Sequence, residues 1–263
     1  MTPVLVAFIA IYSRGWYRLW KTLPNLISVW RFTAFVAGMV SLGLAIGSPL
    51  AELDERLLTA HMVQHLLLMI VAAPLVLLGA PSITLLHGLP RSFVRDVLGP
   101  LLRARLVHRL GGICAHPAFC WLAGSLVVIG WHVPAAFDLA LRSHWWHEIE
   151  HACFFTAGLL FWWPVIRPWP SAAGSRWPVP LYLFLATLPC DALSAFLAFS
   201  DHVIYRPYMS ADGAFNLSPL QDQGLAGALM WVTVTFAYLI PAVVVTVRLL
   251  SGQRRHASKV EVS

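Results

Sequence analysis

Five histidines are the residues in this sequence whose type and spacing best suit chemistry. AHMVQHLLL places His61 and His65 four positions apart, and HEIEH gives His147 and His151 the same spacing. In a helix, residues i and i+4 lie on one face, about 6 Å apart along the axis. His132, in GWHVP, lies near the end of a third apolar stretch. The pattern predicts that imidazoles from three helices line one site.

Metal binding is the chemistry that these residues indicate. A polar side chain in an apolar segment is costly unless it is paired, and a single such histidine is explained most simply by a hydrogen bond. Five at a common depth favour metal ligation. Imidazole suits copper, zinc, iron and nickel, and thioether sulfur adds a preference for Cu(I). Met62 and Met230 lie near this depth and are auxiliary candidates, although methionines at helical spacing more often serve packing.

Two alternatives stay open at this point. HEIEH matches HExxH, in which two histidines bind zinc and a glutamate, here Glu148, activates water in a protease. Asp191 is the candidate third ligand, but it lies near the middle of its helix, deeper than the histidine pair. This hypothesis also leaves three histidines unexplained. The second alternative is a b-type haem held by two histidines from different helices.

A carboxylate at the start of the last apolar stretch is a further candidate. SPLQDQGLAGALMW places Asp222 where the final helix is expected to begin. There it could orient a ligand imidazole or attract a cation, or it could cap the helix N-terminus. The sequence favours neither interpretation over the other.

The elements that position these residues are membrane helices. Of the 263 residues, 59% are hydrophobic and 11% charged, and the mean hydropathy is +0.71, which leaves too little polar surface for a water-soluble domain. The four cysteines form no CxxC pair, which argues against a disulfide framework or a cysteine-only metal site. The composition predicts an all-α polytopic transmembrane bundle of six to seven spanning helices.

Six stretches are long enough to cross about 30 Å of hydrocarbon. They cover residues 29–49, 57–80, 116–137, 145–166, 179–200 and 223–250. A helix at residues 2–12 would span only about 16 Å. The predicted organisation is therefore a short N-terminal helix and basic loop at 1–28, the bundle at 29–250 and a basic tail at 251–263.

The distribution of charge predicts orientation. Fifteen of the eighteen Lys and Arg residues fall on one side of the predicted spans, which marks that side and the C-terminus as cytoplasmic. Seven of the eleven histidines, including all five above, fall on the opposite side. Because the basic residues occupy short loops and no continuous solvated face, the net charge of +6 does not indicate nucleic-acid binding.

Several motifs together resemble one family, the CtaG-type cytochrome c oxidase assembly factors of bacterial membranes. They are AHMVQHLLLMIVAAPLVLLGAP, WHVPAAFDLAL, HEIEHACFFTAGLLFWWP, LAFS with IYRPY, and SPLQDQGLAGALMW, in this order, over about residues 30–245. The chain departs from the family pattern in its short first helix.

The resemblance implies a multi-pass inner-membrane protein, not an enzyme, that supplies copper during assembly of a haem–copper oxidase. Its expected partners are lipid, oxidase subunits and other copper-handling assembly factors. The resemblance also implies that the usual glutamate of the HEIEH motif is Glu150, which would make the HExxH match through Glu148 coincidental. The positions implied as functional are His61, His65, His132, His147, His151 and Asp222, with copper as the metal and zinc or haem as less favoured cofactors.

Overall fold

The computed structural model describes residues 2–22, 28–47, 50–166, 177–210 and 217–260, and within these ranges it contains helices and no strand. The all-α prediction is confirmed. The seven long helices of the described ranges are α1 (Thr2–Thr22), α2 (Val29–Gly47), α3 (Leu58–Leu78), α4 (Pro117–Trp131), α5 (His144–Ile166), α6 (Pro178–Phe199) and α7 (Pro219–Val260). Shorter helices lie at Leu50–Leu53, Pro81–Gly88, Arg91–Phe93, Val94–Leu98, Gly99–Arg103, Arg105–Cys114, Pro134–Arg142 and Arg206–Ser210.

Five stretches are long and apolar enough to cross a membrane: Val29–Leu53, which contains α2 and includes residues 48–49 outside the described ranges, and the helices α3, α5, α6 and α7. Helix α4 joins Arg105–Cys114 at a bend of 69°, and this bent pair would make a sixth span. The polytopic character is thereby confirmed. Residues 48–49 of the predicted span 29–49 and residues 261–263 of the predicted tail lie outside the described residues, and the final helix continues through 251–260.

The predicted span 116–137 is interrupted at His132. Helix α4 ends at Trp131, and a separate helix runs from Pro134 to Arg142. Proline disfavours helical geometry in the residue before it, and Val133 accordingly has an extended backbone. The break places the His132 side chain at the end of a helix of 15 residues, about 22 Å long.

Helix α1 is longer than the sequence predicted. It runs through 21 residues, about 31 Å, so residues 13–22, expected in a basic loop, continue the helix. Close packing explains this extension, because a side chain on Gly15 would collide with the Thr84 carbonyl and one on Gly88 with the Ile11 carbonyl. Two glycines therefore let α1 lie directly against the helix Pro81–Gly88.

Helices α3 and α5, which carry the two histidine pairs, pack closely below the histidines. A Cβ on Gly158 would lie 2.9 Å from the Ala73 Cβ and 3.0 Å from the Met69 Cα. Helix α3 contains a π-helical stretch at Leu67–Ala72, just before Pro74, whose missing N–H interrupts the hydrogen-bond ladder. The Trp162 indole donates to the Met69 carbonyl at 2.9 Å, so this tryptophan is a packing residue of the interior.

Candidate metal centre

The structure brings all five histidines together near one end of α3, α4 and α5. Along each helix the i, i+4 rings adjoin, with centroids 4.3 Å apart for His61 and His65 and 4.2 Å apart for His147 and His151. Between helices, the stacked rings of His61 and His147 have centroids 5.7 Å apart, and the ring centroids of His65 and His151 are 6.0 Å apart. The His132 ring is 6.5 Å from that of His65.

Two buried carboxylates join the cluster. Glu150 Oε1 lies 3.6 Å from the Nε2 atoms of both His61 and His65. Asp54, which precedes α3, places its Oδ2 3.2 Å from Nε2 of His147. Both carboxylates are completely buried. Glu150, on α5, therefore contacts both histidines of α3, and Asp54, just before α3, contacts His147 of α5, so α3 and α5 are linked at two points.

The ligand atoms fall into two groups of three. The donor atoms of His61, His65 and Glu150 lie within 4.8 Å of one another, and we call this set the Glu150 triad. The donor atoms of His147, His151 and Asp54 also lie within 4.8 Å of one another, and we call this set the Asp54 triad. Two imidazoles and one carboxylate suit a divalent or monovalent transition metal.

Many polar atoms of the cluster have no hydrogen-bond partner within the described part of the chain. They include the Nε2 atoms of all five histidines and both carboxylate oxygens of Asp54 and Glu150. Buried polar groups in folded proteins are nearly always paired, because an unpaired one loses its hydration without compensation. This donor set therefore fits a metal ion, which would occupy the free lone pairs of the imidazoles and carboxylates.

His132 is oriented by its own helix. Its Nδ1 lies 2.6 Å from the Val128 carbonyl, which makes Nδ1 the hydrogen donor and leaves Nε2 with a free lone pair. The side chain lines a small cavity of about 30 Å³ beside the cluster. This volume is on the order of one or two water molecules. Four sulfur-containing residues also line the cavity: Met62, Met69, Met230 and Cys190.

Asp222 does not lie among the imidazole contacts of the cluster but holds the start of α3. Its carboxylate accepts hydrogen bonds from the backbone N–H of Leu58 at 2.6 Å and of Thr59 at 3.1 Å, and from the Thr59 hydroxyl at 2.6 Å. The first N–H groups of a helix lack intrahelical partners, and a carboxylate that accepts from them stabilises that end. Asp222 thus caps α3, the helix of His61 and His65, from a different helix.

A segment at residues 201–210 is fixed beside the cluster. The Tyr205 hydroxyl donates to the His132 carbonyl at 3.0 Å, and the Tyr208 hydroxyl donates to the Asp54 carbonyl at 2.7 Å. Burial raises the pKa of Tyr208, which keeps its hydroxyl protonated as a donor. Burial likewise raises the pKa of the Asp54 carboxyl, although the neighbouring His147 opposes the shift. The segment is therefore hydrogen-bonded to the backbone of two cluster residues, His132 and Asp54.

Comparison with known proteins identifies the family. The model of the cytochrome c oxidase caa3 assembly factor family (Caa3_CtaG) matches residues 10–251. The chain belongs to this family. The resemblance expected from the motifs is thereby confirmed, and all the cluster residues lie within the matched region.

Relatives of this caa3 assembly factor family member occur in mycobacteria. Proteins of Mycobacterium bovis and Mycobacterium tuberculosis, both described only as uncharacterized, are each 27% identical to the chain over 258 residues. The alignment covers 94% of the chain but 38% of each relative, so the chain spans about two fifths of their length. A Mycobacterium leprae protein is 24% identical with the same partial coverage. No solved structure matches the chain significantly.

Within this family member, sequence reasoning missed Asp54, the carboxylate that contacts the HEIEH pair at His147. Asp191, a candidate third ligand only under the less favoured zinc hypothesis, belongs to neither triad, and Asp54 meets His147. Glu148 is partly exposed, whereas Glu150 is completely buried against His61 and His65. The signal for Asp54 was its position in ELDER, four residues before α3, but three acidic residues there gave no means of choosing one.

Proposed function

We propose that this chain binds copper in the buried histidine and carboxylate cluster and supplies it during assembly of a haem–copper cytochrome c oxidase. The observation that carries the proposal is the set of unpaired imidazole and carboxylate atoms from three helices, buried at one end of the bundle. A chain whose task is to bind and release an ion needs preformed ligands but no catalytic group. Membership in an oxidase assembly family supports this role.

Copper fits the donor set better than the alternatives do. Imidazole nitrogens are good copper ligands, and Met62 and Met230 are among the residues that line the adjoining cavity, where thioether sulfur would favour Cu(I). That cavity holds about 30 Å³, far too little for a haem between His132 and His65. The zinc protease hypothesis requires Glu148 as the base, yet the glutamate against the cluster is Glu150.

The cluster is proposed to open toward the periplasm of a bacterial cell, with the C-terminus in the cytoplasm. The support is the location of fifteen of eighteen basic residues on the opposite side of the spans. A reporter fused after Arg255 should be active only in its cytoplasmic form, and one inserted near Asp212, outside the described residues, only in its periplasmic form. The reverse pattern would invert the proposed orientation.

Metal analysis of the purified chain tests the copper proposal. After anaerobic loading with Cu(I) and removal of free metal, the wild-type protein should retain copper, whereas His61→Ala and His147→Ala should each lose at least half of it. His144→Ala is the matched control, because His144 lies exposed at the start of the same helix α5. In cells, the two cluster variants should also lower oxidase activity.

Three outcomes would contradict the proposal. Copper retention by both cluster variants equal to that of His144→Ala would exclude the cluster as the binding site. Zinc in the purified chain, with peptide cleavage abolished in Glu148→Gln, would support the protease. A Soret band would support haem.

A further inference from the structure

We infer that the cluster holds two metal ions, one in the Glu150 triad and one in the Asp54 triad. The inference rests on the proposed metal binding and extends it to stoichiometry and ligand assignment. It makes Asp54, which the histidine pattern did not indicate, a metal ligand equivalent to Glu150.

The first argument is the division of ligands. The two triads share no residue, and each has its three donor atoms within 4.8 Å of one another. Each combines the i, i+4 histidine pair of one helix with a carboxylate from another element. Glu150, on α5, faces the histidines of α3, and Asp54, before α3, faces His147 on α5. This crossed arrangement gives two complete ligand sets of the same composition.

The second argument is the number of unsatisfied atoms. Both oxygens of Asp54, both oxygens of Glu150 and the Nε2 atoms of the four histidines in the triads lack hydrogen-bond partners in the described ranges. One ion bound by one triad would serve three ligands and leave the other carboxylate with only its contact to imidazole, 3.2 Å for Asp54 with His147 or 3.6 Å for Glu150 with His61 and His65. Since unpaired buried polar atoms are costly, occupation of both triads is favoured.

The third argument is charge. The only ionic contacts of Asp54 and Glu150 in the described ranges are with histidines, and no lysine or arginine pairs with either carboxylate. Metal ligation requires neutral imidazoles and ionised carboxylates, so the two ligand sets together bring two negative charges. Two Cu(I) ions balance these charges, one in each triad, whereas a single Cu(I) leaves one carboxylate uncompensated.

Three protein ligands also suit an ion that must be transferred. A site with three protein ligands keeps a coordination position open, which an incoming ligand can occupy before the protein ligands leave. Each triad has this property. The chain would therefore deliver two ions from equivalent neighbouring sites.

Copper stoichiometry tests the inference directly. The full chain in detergent is titrated anaerobically with Cu(I) against a competing chromophoric chelator, and bound copper is measured by mass spectrometry. The wild-type chain should bind two ions. The variant His61→Ala with His65→Ala and the variant His147→Ala with His151→Ala should each bind one, and the fourfold variant should bind none.

Isosteric variants provide a second test in case the alanine variants fail to fold. Asp54→Asn and Glu150→Gln preserve side-chain volume, and each should weaken one of the two binding steps at least tenfold while leaving the other unchanged. Glu148→Gln, on the same helix but partly exposed, is the matched control and should bind two ions with wild-type affinity.

The outcomes separate this inference from the copper proposal. One ion per wild-type chain, or loss of all copper when either histidine pair is removed, would overturn the two-ion inference and leave the single-site proposal standing. Absence of any bound copper in the wild-type chain would overturn both.

Discussion

The interface between α3 and α5 has two ends of opposite character. At one end, Gly158 packs against Ala73 and Met69, and the Trp162 indole satisfies the Met69 carbonyl. At the other end, imidazoles and carboxylates face one another with many polar atoms unpaired. The first end positions the two helices through complementary packing. At the histidine end, many polar atoms make no hydrogen bond within the protein, which is the arrangement expected of a preformed site for an ion.

The largest effect should come from disrupting the packed end. Gly158→Leu places a side chain where a Cβ alone already lies within 3.0 Å of two atoms of α3. Because one of these is the Met69 backbone, α3 and α5 must separate, and we expect a loss of about 3 kcal/mol together with loss of copper binding. Thermal unfolding and copper analysis in detergent would measure both. Gly130→Leu is the control, since nothing lies within 4 Å of its Cβ position.

The histidine end of the interface should stabilise the folded protein mainly when copper is bound. In the wild-type chain, copper at a hundred times its dissociation constant should stabilise the folded state by about 2.7 kcal/mol for each site. The combined variant His61→Ala with His147→Ala should lose most of this increment. Its metal-free unfolding temperature should stay close to that of the metal-free wild-type protein. A large drop without metal would show that the histidines serve packing.

Removal of the tryptophan donor should affect stability but not copper. Trp162→Phe leaves the Met69 carbonyl buried without its partner, which should lower the free energy of unfolding by about 2 kcal/mol. Copper stoichiometry should remain that of the wild-type chain. Parallel loss of copper would show that the two ends of the interface are not independent. Trp163→Phe, one residue further along α5, is the comparison variant.

Replacing Asp222 should have a smaller effect, which reaches both the stability of the fold and the affinity for copper. Asp222→Ala removes the acceptor for the first N–H groups of α3, and loss of such a cap typically costs about 1 kcal/mol. Because the cap lies one turn before His61, copper affinity should fall modestly while stoichiometry is retained. Complete loss of one copper ion would assign Asp222 a direct ligand role instead.

The smallest effect is expected from Glu148→Gln. Glu148 is partly exposed and belongs to neither triad, so copper content and oxidase assembly should match those of the wild-type chain. Oxidase activity of cells carrying the variant, measured beside Glu150→Gln, provides the contrast between the two glutamates of HEIEH. Inactivity of Glu148→Gln alone would favour the hydrolytic hypothesis.

Much of the helical architecture was predictable because it depends on local composition. The predicted spans 57–80, 145–166 and 179–200 differ from Leu58–Leu78, His144–Ile166 and Pro178–Phe199 by at most two residues at either end. The extension of α1 was not predictable, since basic residues at 14–21 resemble a loop. Helix α1 continues because Gly15 and Gly88 allow close contact with a helix that lies some seventy residues away.

The sequence by itself determined which histidines share a helix face, because the spacing of i and i+4 is a property of the helix alone. It also determined that these faces belong to apolar segments. The resemblance already pointed to Glu150 rather than Glu148, but only the tertiary structure decided that Glu150 meets the histidines of α3 and that Asp54 meets His147. It likewise assigned Asp222 to the start of a helix 164 positions earlier in the chain. Such pairings depend on how helices rotate and pack against one another, and no local pattern in the sequence encodes that geometry.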